Sequence, residues 1–135
     1  RLGSVVRLGQ PLFTQYQKVG TVAYRRLVQN LLRLLLPSRL VETSAPTTTE
    51  VTVTKTAEHK VVHLVNYSPM RRGDHMEVWE DPTPLRDIEV TVPASWAPNQ
   101  VVLLPGEEPL KTTLVEGRLT FVVPTVVCHA AVLLR

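Results

Sequence analysis

The hydrophobic pattern of this chain changes its period once, and that change limits the fold more than any other feature. Between Thr21 and Pro37, apolar residues recur at the spacing of an amphipathic helix, with arginines on the opposite side. After residue 50 they alternate with polar residues, as in half-buried strands. The helical stripe consists of Tyr24, Leu27, Val28, Leu31, Leu32 and Leu35. The pattern therefore predicts one helix followed by a region built of strands.

The segment before this helix predicts a strand–helix unit over residues 1–41. Residues 4–8 have the composition of a short strand, and residues 11–19 of a turn or short helix that ends at Gly20. Thr21 is a suitable N-cap for the main helix, and Pro37 ends it because the residue before a proline disfavours helical dihedrals. One strand and one helix cannot bury the apolar stripe alone, which indicates a remnant of a larger α/β layer.

A polar stretch at residues 42–50 predicts a domain boundary, and a β-sandwich domain over 42–135 follows it. Glu116-Gly117 predicts a tight hairpin, and Pro105-Gly106 a longer reversal. About eight short strands separated by turns are typical of an antiparallel sandwich. The fold class is therefore mainly β, one strand–helix unit followed by a sandwich. The predicted strands cover residues 50–56, 60–67, 75–80, 85–92, 100–104, 110–115, 118–123 and 126–134.

Composition excludes several classes of function. The net charge of +3 and the aromatic content of 5% are too low for a phosphate-tracking stripe or a base-stacking platform, so no nucleic-acid partner is expected. No apolar run approaches the length of a bilayer span, so no membrane partner is expected. The single cysteine, Cys128, excludes an internal disulfide. No signal-peptide pattern precedes the domain, which favours the cytoplasm as its location.

The titratable residues predict no catalytic or metal site. His59 and His63 fall at a strand, where four residues span about 13 Å, whereas two ligands of one metal each lie within about 2.1 Å of it. Cys128 and His129 are neighbours on a strand and point to opposite faces, so Cys128 is expected in the core. No metal and no cofactor are therefore predicted. The acidic residues interpreted as a solvated rim are Glu77, Glu80, Asp81 and Asp87.

Aromatic residues supply one binding hypothesis. By strict alternation Trp79 and Glu77 share one face of a predicted strand, and a tryptophan beside a carboxylate is typical of a sugar-binding surface. The same tryptophan would equally be covered by a neighbouring domain. The candidate carbohydrate-binding residues are Trp79, Glu77, Trp96 and Tyr67. Arg72-Gly73-Asp74 spells an adhesion tripeptide, which leaves receptor binding as a third interpretation.

Several strings resemble the C-terminal region of bacterial glycoside hydrolases. The run 24–32, with Leu36-Pro37, 40–43 and Ala45-Pro46, is similar to the end of a β-galactosidase trimerisation-type domain, a flavodoxin-like layer that follows a catalytic (β/α)₈ barrel. The run 61–67, with 84–88 and 104–106, resembles the terminal β-sandwich of uncharacterised bacterial glycoside hydrolases, similar to β-galactosidases and α-L-fucosidase-like proteins. The resemblance extends from about Gly3 to Leu134.

The resemblance implies a non-catalytic accessory domain of a glycosidase that supports domain packing and oligomer assembly. The partners it implies are the catalytic barrel of the same polypeptide and further copies in a homo-oligomer. In that family the acid and the nucleophile lie at strand ends of the barrel, so no catalytic residue is carried over to this chain. The alternative interpretation is a carbohydrate-binding module that uses exposed aromatic residues.

Overall fold

The fold is described from a computed structural model, which covers residues 3–96 and 99–135. The chain divides into two compact units, one ending at Arg39 and one spanning Leu40–Arg135. That the first unit is the remnant of a flavodoxin-like domain stays a prediction.

The first unit contains two helices, α1 (Leu12–Val19) and α2 (Val22–Leu35). Gly20 ends α1 in the left-handed conformation, with φ of 66°, and its N–H donates to the Tyr16 carbonyl at 2.7 Å. This is the glycine C-cap that the sequence predicts. No residue of α2 is fully buried, although its apolar stripe lies along one side of the helix.

The strand predicted at residues 4–8 is wrong. The structure has no strand there, and all five residues are exposed. A strand needs a neighbour to pair with its backbone N–H and C=O groups, and the described part of this unit contains helices only.

The second unit is mainly β, as the alternating pattern predicts. Within the described residues its eleven strands form three antiparallel sheets. Their bounds are β1 Glu42–Thr43, β2 Thr49–Lys55, β3 Lys60–Asn66, β4 Met70–Arg71, β5 Glu77–Val78, β6 Leu85–Pro93, β7 Val101–Leu104, β8 Glu108–Pro109, β9 Thr112–Val115, β10 Arg118–Val126 and β11 His129–Leu134.

Two of these sheets enclose one hydrophobic core. The four-stranded sheet has the order β1-β6-β10-β9, and the five-stranded sheet the order β2-β3-β11-β7-β8. Phe121 and Val90 from the first sheet and Leu64 and Val132 from the second are almost completely buried in the same cluster. Each buried side chain of this size contributes about 1.5–3 kcal/mol to stability. The strands β4 and β5 form a separate two-stranded ribbon.

The pairing of β6 with β10 contains one irregular position. Asp87 has a φ of 52°, and it lies opposite Pro124, which has no N–H to donate. Buried positions alternate up to Ile88 and Val123, and on β10 the next buried residue is Val126, three positions further on. The alternation of buried residues along β10 therefore shifts at this position, without a change in its register against β6.

Strand β11 occupies the centre of its sheet, between β3 and β7, as its nearly continuous apolar run predicts. Cys128 differs from its expected place in the core. It is half-buried in the turn between β10 and β11, where its carbonyl accepts the Asn66 N–H at 2.8 Å. The strand begins at His129, three residues later than the predicted start at residue 126, because Val126 ends β10 and residues 127–128 form the turn.

The predicted boundary at residues 42–50 is more ordered than a linker. Glu42 and Thr43 pair with Thr91 and Val90 of β6 and so form the edge of the four-stranded sheet. The Ser44 hydroxyl accepts the Glu89 N–H at 2.9 Å. Among the described residues, no helix is long and apolar enough to cross a membrane.

Candidate functional site

The connection between β3 and β6, residues 67–84, is the largest excursion from the sandwich. It carries the β4–β5 ribbon and several large apolar side chains that remain exposed. These are Tyr67, Met70, Met76 and Trp79. A cluster of exposed apolar side chains on one connection is typical of a binding surface.

Two of these side chains form an aromatic pair. The rings of Tyr67 and Trp79 lie 5.7 Å apart between centroids, with their planes inclined at 59°. This is an ordinary tilted geometry for two interacting aromatic rings. Tyr67 keeps 50% of its surface exposed and Trp79 keeps 39%, so the pair supports itself and still offers ring surface to a ligand.

A buried asparagine anchors the base of this connection. Asn66, the last residue of β3, is 1% exposed, and its Nδ2 donates to the carbonyls of Thr83 and Val127, both at 2.9 Å. Thr83 lies near the end of the connection and Val127 in the β10–β11 turn. A single side chain therefore joins the two ends of the loop to the adjacent turn. Tyr67 follows Asn66 directly, and its N–H donates to the Thr48 carbonyl at 3.1 Å.

The ribbon is held by two arginines. Arg71 Nε donates to the Gly73 carbonyl at 2.9 Å, and its Nη2 donates to the Asp74 carbonyl. Arg72 Nη2 lies 3.1 Å from Glu80 Oε2, in an exposed ion pair. The arginine of the adhesion tripeptide is thus paired within the loop itself.

The other two candidate residues take different positions. Glu77 is exposed on β5 and pairs with Arg71 across the ribbon. Trp96 lies in a single 3₁₀ turn, packs partly against the core, and has the Lys60 Nζ 5.7 Å from its ring centroid. Lys60 is the first residue of β3, and Tyr67 follows its last residue. The two ends of this strand are about 20 Å apart at 3.3 Å per residue. The structure therefore brings Tyr67 and Trp79 together and places Trp96 elsewhere.

Comparison with solved structures finds enzymes that contain a similar fold. The α-L-fucosidase isoenzyme 2 from Paenibacillus thiaminolyticus matches 92% of the chain with a TM-score of 0.83 and 27% identity. The fold is that of a domain found in glycoside-hydrolase enzymes. A cycloisomaltooligosaccharide glucanotransferase from a Paenibacillus species, solved with cycloisomaltoheptaose, matches 70% with a TM-score of 0.54 and 18% identity, which shows the fold alone.

The chain spans only a part of these enzymes, 19% of the fucosidase and 16% of the glucanotransferase. No protein-family model and no curated protein sequence matches it. The resemblance to α-L-fucosidase-like proteins has structural support. The trimerisation-type character of the first unit and the likeness to β-galactosidases stay predictions.

The four acidic residues interpreted as a solvated rim, Glu77, Glu80, Asp81 and Asp87, are all exposed. Glu80 forms an ion pair with Arg72, and Asp87 has a positive φ on β6. Across residues 3–96 and 99–135, no group of three or more His, Cys, Asp and Glu side chains is arranged to hold a metal ion. His59 lies in the turn between β2 and β3, where its N–H and carbonyl both bond to Thr56, and it does not approach His63.

His63 instead meets a residue that the sequence did not connect with it. Its Nδ1 lies 3.1 Å from Nε2 of His129, and its Nε2 lies 3.1 Å from the Thr54 hydroxyl. The prediction that His63 is a half-buried strand histidine with a hydrogen-bond partner is confirmed. The pairing with His129 could be found from the sequence only if β3 and β11 were known to be neighbours.

Proposed function

We propose that this chain is a non-catalytic accessory region of a glycoside hydrolase similar to the α-L-fucosidases. The observation that supports this most is the match of 92% of the chain, at a TM-score of 0.83, to less than a fifth of an α-L-fucosidase. Its two units contribute packing surface to a larger enzyme. The chemistry belongs to a catalytic barrel in the same polypeptide.

The helical unit provides that surface. Its exposed apolar side chains include Phe13 at 69% and Leu34 at 72%, more than a separate small unit normally leaves in water. An apolar groove of about 200 Å³ runs between the helices. The groove is lined by Leu12, Phe13, Tyr16, Tyr24, Arg25, Val28 and Gln29. We propose that in the parent enzyme this surface packs within the α/β layer that precedes the sandwich. That packing would support oligomer assembly.

The isolated chain is expected to be inert as a glycosidase. Purified protein should release no nitrophenol from aryl α-L-fucosides or aryl β-galactosides above the rate of a no-protein blank, because its sequence predicts no acid–nucleophile pair across a cleft. The measurement is a continuous absorbance assay at high protein concentration. Turnover that disappears in Glu77→Gln or Glu80→Gln but persists in Glu108→Gln would contradict the proposal.

A second candidate function is carbohydrate binding by the β3–β6 connection. The specific observation in its favour is the half-exposed Tyr67–Trp79 pair on an anchored loop. Aromatic faces bind the apolar faces of sugar rings, and the ion pair of Arg72 with Glu80 places polar groups beside them. This function and the accessory role are compatible within one enzyme.

Replacing Trp79 with alanine is expected to weaken glycan binding about tenfold, equivalent to about 1.4 kcal/mol, because half of the ring pair is lost. Isothermal titration with isomaltoheptaose and with an L-fucose-terminated trisaccharide measures the effect. Tyr16→Ala serves as the control, since Tyr16 is an aromatic residue of the helical unit with the same exposed fraction as Trp79, 39%. If neither sugar binds the wild-type chain, or if Trp79→Ala binds as the wild type does, the loop is not a sugar site.

A further inference from the structure

Two histidines from different ends of the sequence meet on the five-stranded sheet. In the register of β3 and β11, His63 is opposite Ala131 and His129 is opposite Val65, so the histidines are diagonal neighbours on one face. Their ring centroids lie 5.4 Å apart, with the planes inclined at 15°. The closest nitrogens, His63 Nδ1 and His129 Nε2, are 3.1 Å apart.

A threonine hydroxyl lies within hydrogen-bond distance of the other ring nitrogen of His63. The Thr54 hydroxyl lies 3.1 Å from Nε2, on the opposite side of the ring from His129. When the Thr54 oxygen accepts the Nε2 hydrogen, Nδ1 is left with a lone pair directed at His129. Metal-binding histidines commonly have such a hydrogen bond to the ring nitrogen that does not bind the metal. His63 is thus prepared to act as a ligand through Nδ1.

The separation of the two nitrogens also fits a shared ion. Imidazole nitrogens bind first-row transition metals at about 2.0–2.1 Å. Two nitrogens 3.1 Å apart at that bond length subtend about 98° at the ion, between the square-planar and tetrahedral angles. We propose that His63 Nδ1 and His129 Nε2 form a two-histidine site for a divalent transition metal, with Cu²⁺ the preferred ion and water completing its coordination.

The surroundings allow the ion to enter. His129 is exposed and His63 is half-buried, and their cross-strand partners Ala131 and Val65 are apolar residues without a charge that would oppose a cation. Glu50 pairs with Val65 and so lies on the same face, in the row that contains His129. Its carboxylate adds a favourable charge for a cation. On binding, His129 gives up the Nε2 hydrogen and carries its hydrogen on Nδ1.

Copper titration of the full chain tests the site. Calorimetry with CuCl₂ in a non-coordinating buffer should show one ion per chain, and the electron paramagnetic resonance spectrum should show coupling to two equivalent nitrogens. His129→Ala and His63→Ala should each weaken binding at least tenfold and remove the two-nitrogen pattern. His59→Ala and His75→Ala are matched controls and should leave the affinity and the spectrum unchanged.

A further variant separates this site from weak surface binding. Thr54→Val keeps the strand shape and should weaken Cu²⁺ binding about tenfold, since it removes the hydroxyl that lies against Nε2 of His63. The proposal is overturned if His129→Ala binds copper as the wild type does, or if the two-nitrogen spectrum survives in the His63→Ala/His129→Ala double variant.

Discussion

The double variant Leu27→Glu/Leu32→Glu is expected to be monomeric at concentrations where the wild-type chain associates. Leu27 is 43% exposed and Leu32 50%, and both lie on the apolar stripe of α2. Burying such a side chain against a partner contributes about 1.5–3 kcal/mol. Losing two of them should raise the dissociation constant of self-association at least about 100-fold. Sedimentation velocity over a range of protein concentrations measures the shift.

The control variant carries the same two added negative charges, but at positions outside the apolar stripe of α2. Gln17→Glu/Asn30→Glu adds the same two charges at exposed polar positions of the two helices, and should associate as the wild type does. Circular dichroism should show unchanged helix content in both variants, because glutamate is a good helix former. A wild-type chain that stays monomeric throughout, or a control variant that dissociates equally, would remove α2 from any role in assembly.

Replacing Asn66 with alanine is expected to lower the free energy of unfolding by about 2–4 kcal/mol. The substitution leaves the Thr83 and Val127 carbonyls without their donor in a region where Asn66 is 1% exposed. Urea unfolding followed by circular dichroism measures the change as a lower midpoint at an unchanged slope. Asn99→Ala is the matched control, since Asn99 is exposed and bonds to Arg135 through its backbone N–H.

The same substitution should release the β3–β6 connection. Trypsin is expected to cut after Arg71 and Arg72 several times faster in Asn66→Ala than in the wild type, because the loop loses the tie between its two ends. In a Trp96→Phe background, the fluorescence of Trp79 should also shift towards that of an exposed tryptophan. Equal cleavage rates and an unchanged emission spectrum would mean that Asn66 stabilises the sandwich without holding the loop.

The sandwich could be predicted because apolar and polar residues alternate along several of its strands. Ile88, Val90 and Val92 are all buried, and so are Leu119 and Phe121, as their two-residue spacing indicates. Strands of two residues, such as β1, are too short to show any period. The strand expected at residues 4–8 failed for a different reason, since composition favours extended backbone but pairing requires a neighbour.

The candidate sites depend more strongly on the tertiary structure. Tyr67 and Trp79 could be grouped because both are aromatic and lie near one predicted turn, but their ring contact follows from the path of the loop. Trp96 could be grouped with Tyr67 and Trp79 only because it is also aromatic. His63 and His129 are 66 positions apart and meet only because β3 and β11 are antiparallel neighbours in a fixed register. No local pattern carries that information.

The short strand β1 has a mechanical consequence for this chain. Tension between the helical unit and the sandwich enters the four-stranded sheet at Glu42 and Thr43, two residues paired with β6 and assisted by an ion pair of 3.6 Å between Glu42 and Arg118. The long pairing of β6 with β10 continues behind it. If the chain is pulled from its N-terminal side, we expect β1 to separate from β6 first, because only two of its residues are paired. The pairing of β6 with β10, which encloses the core, should then stay intact.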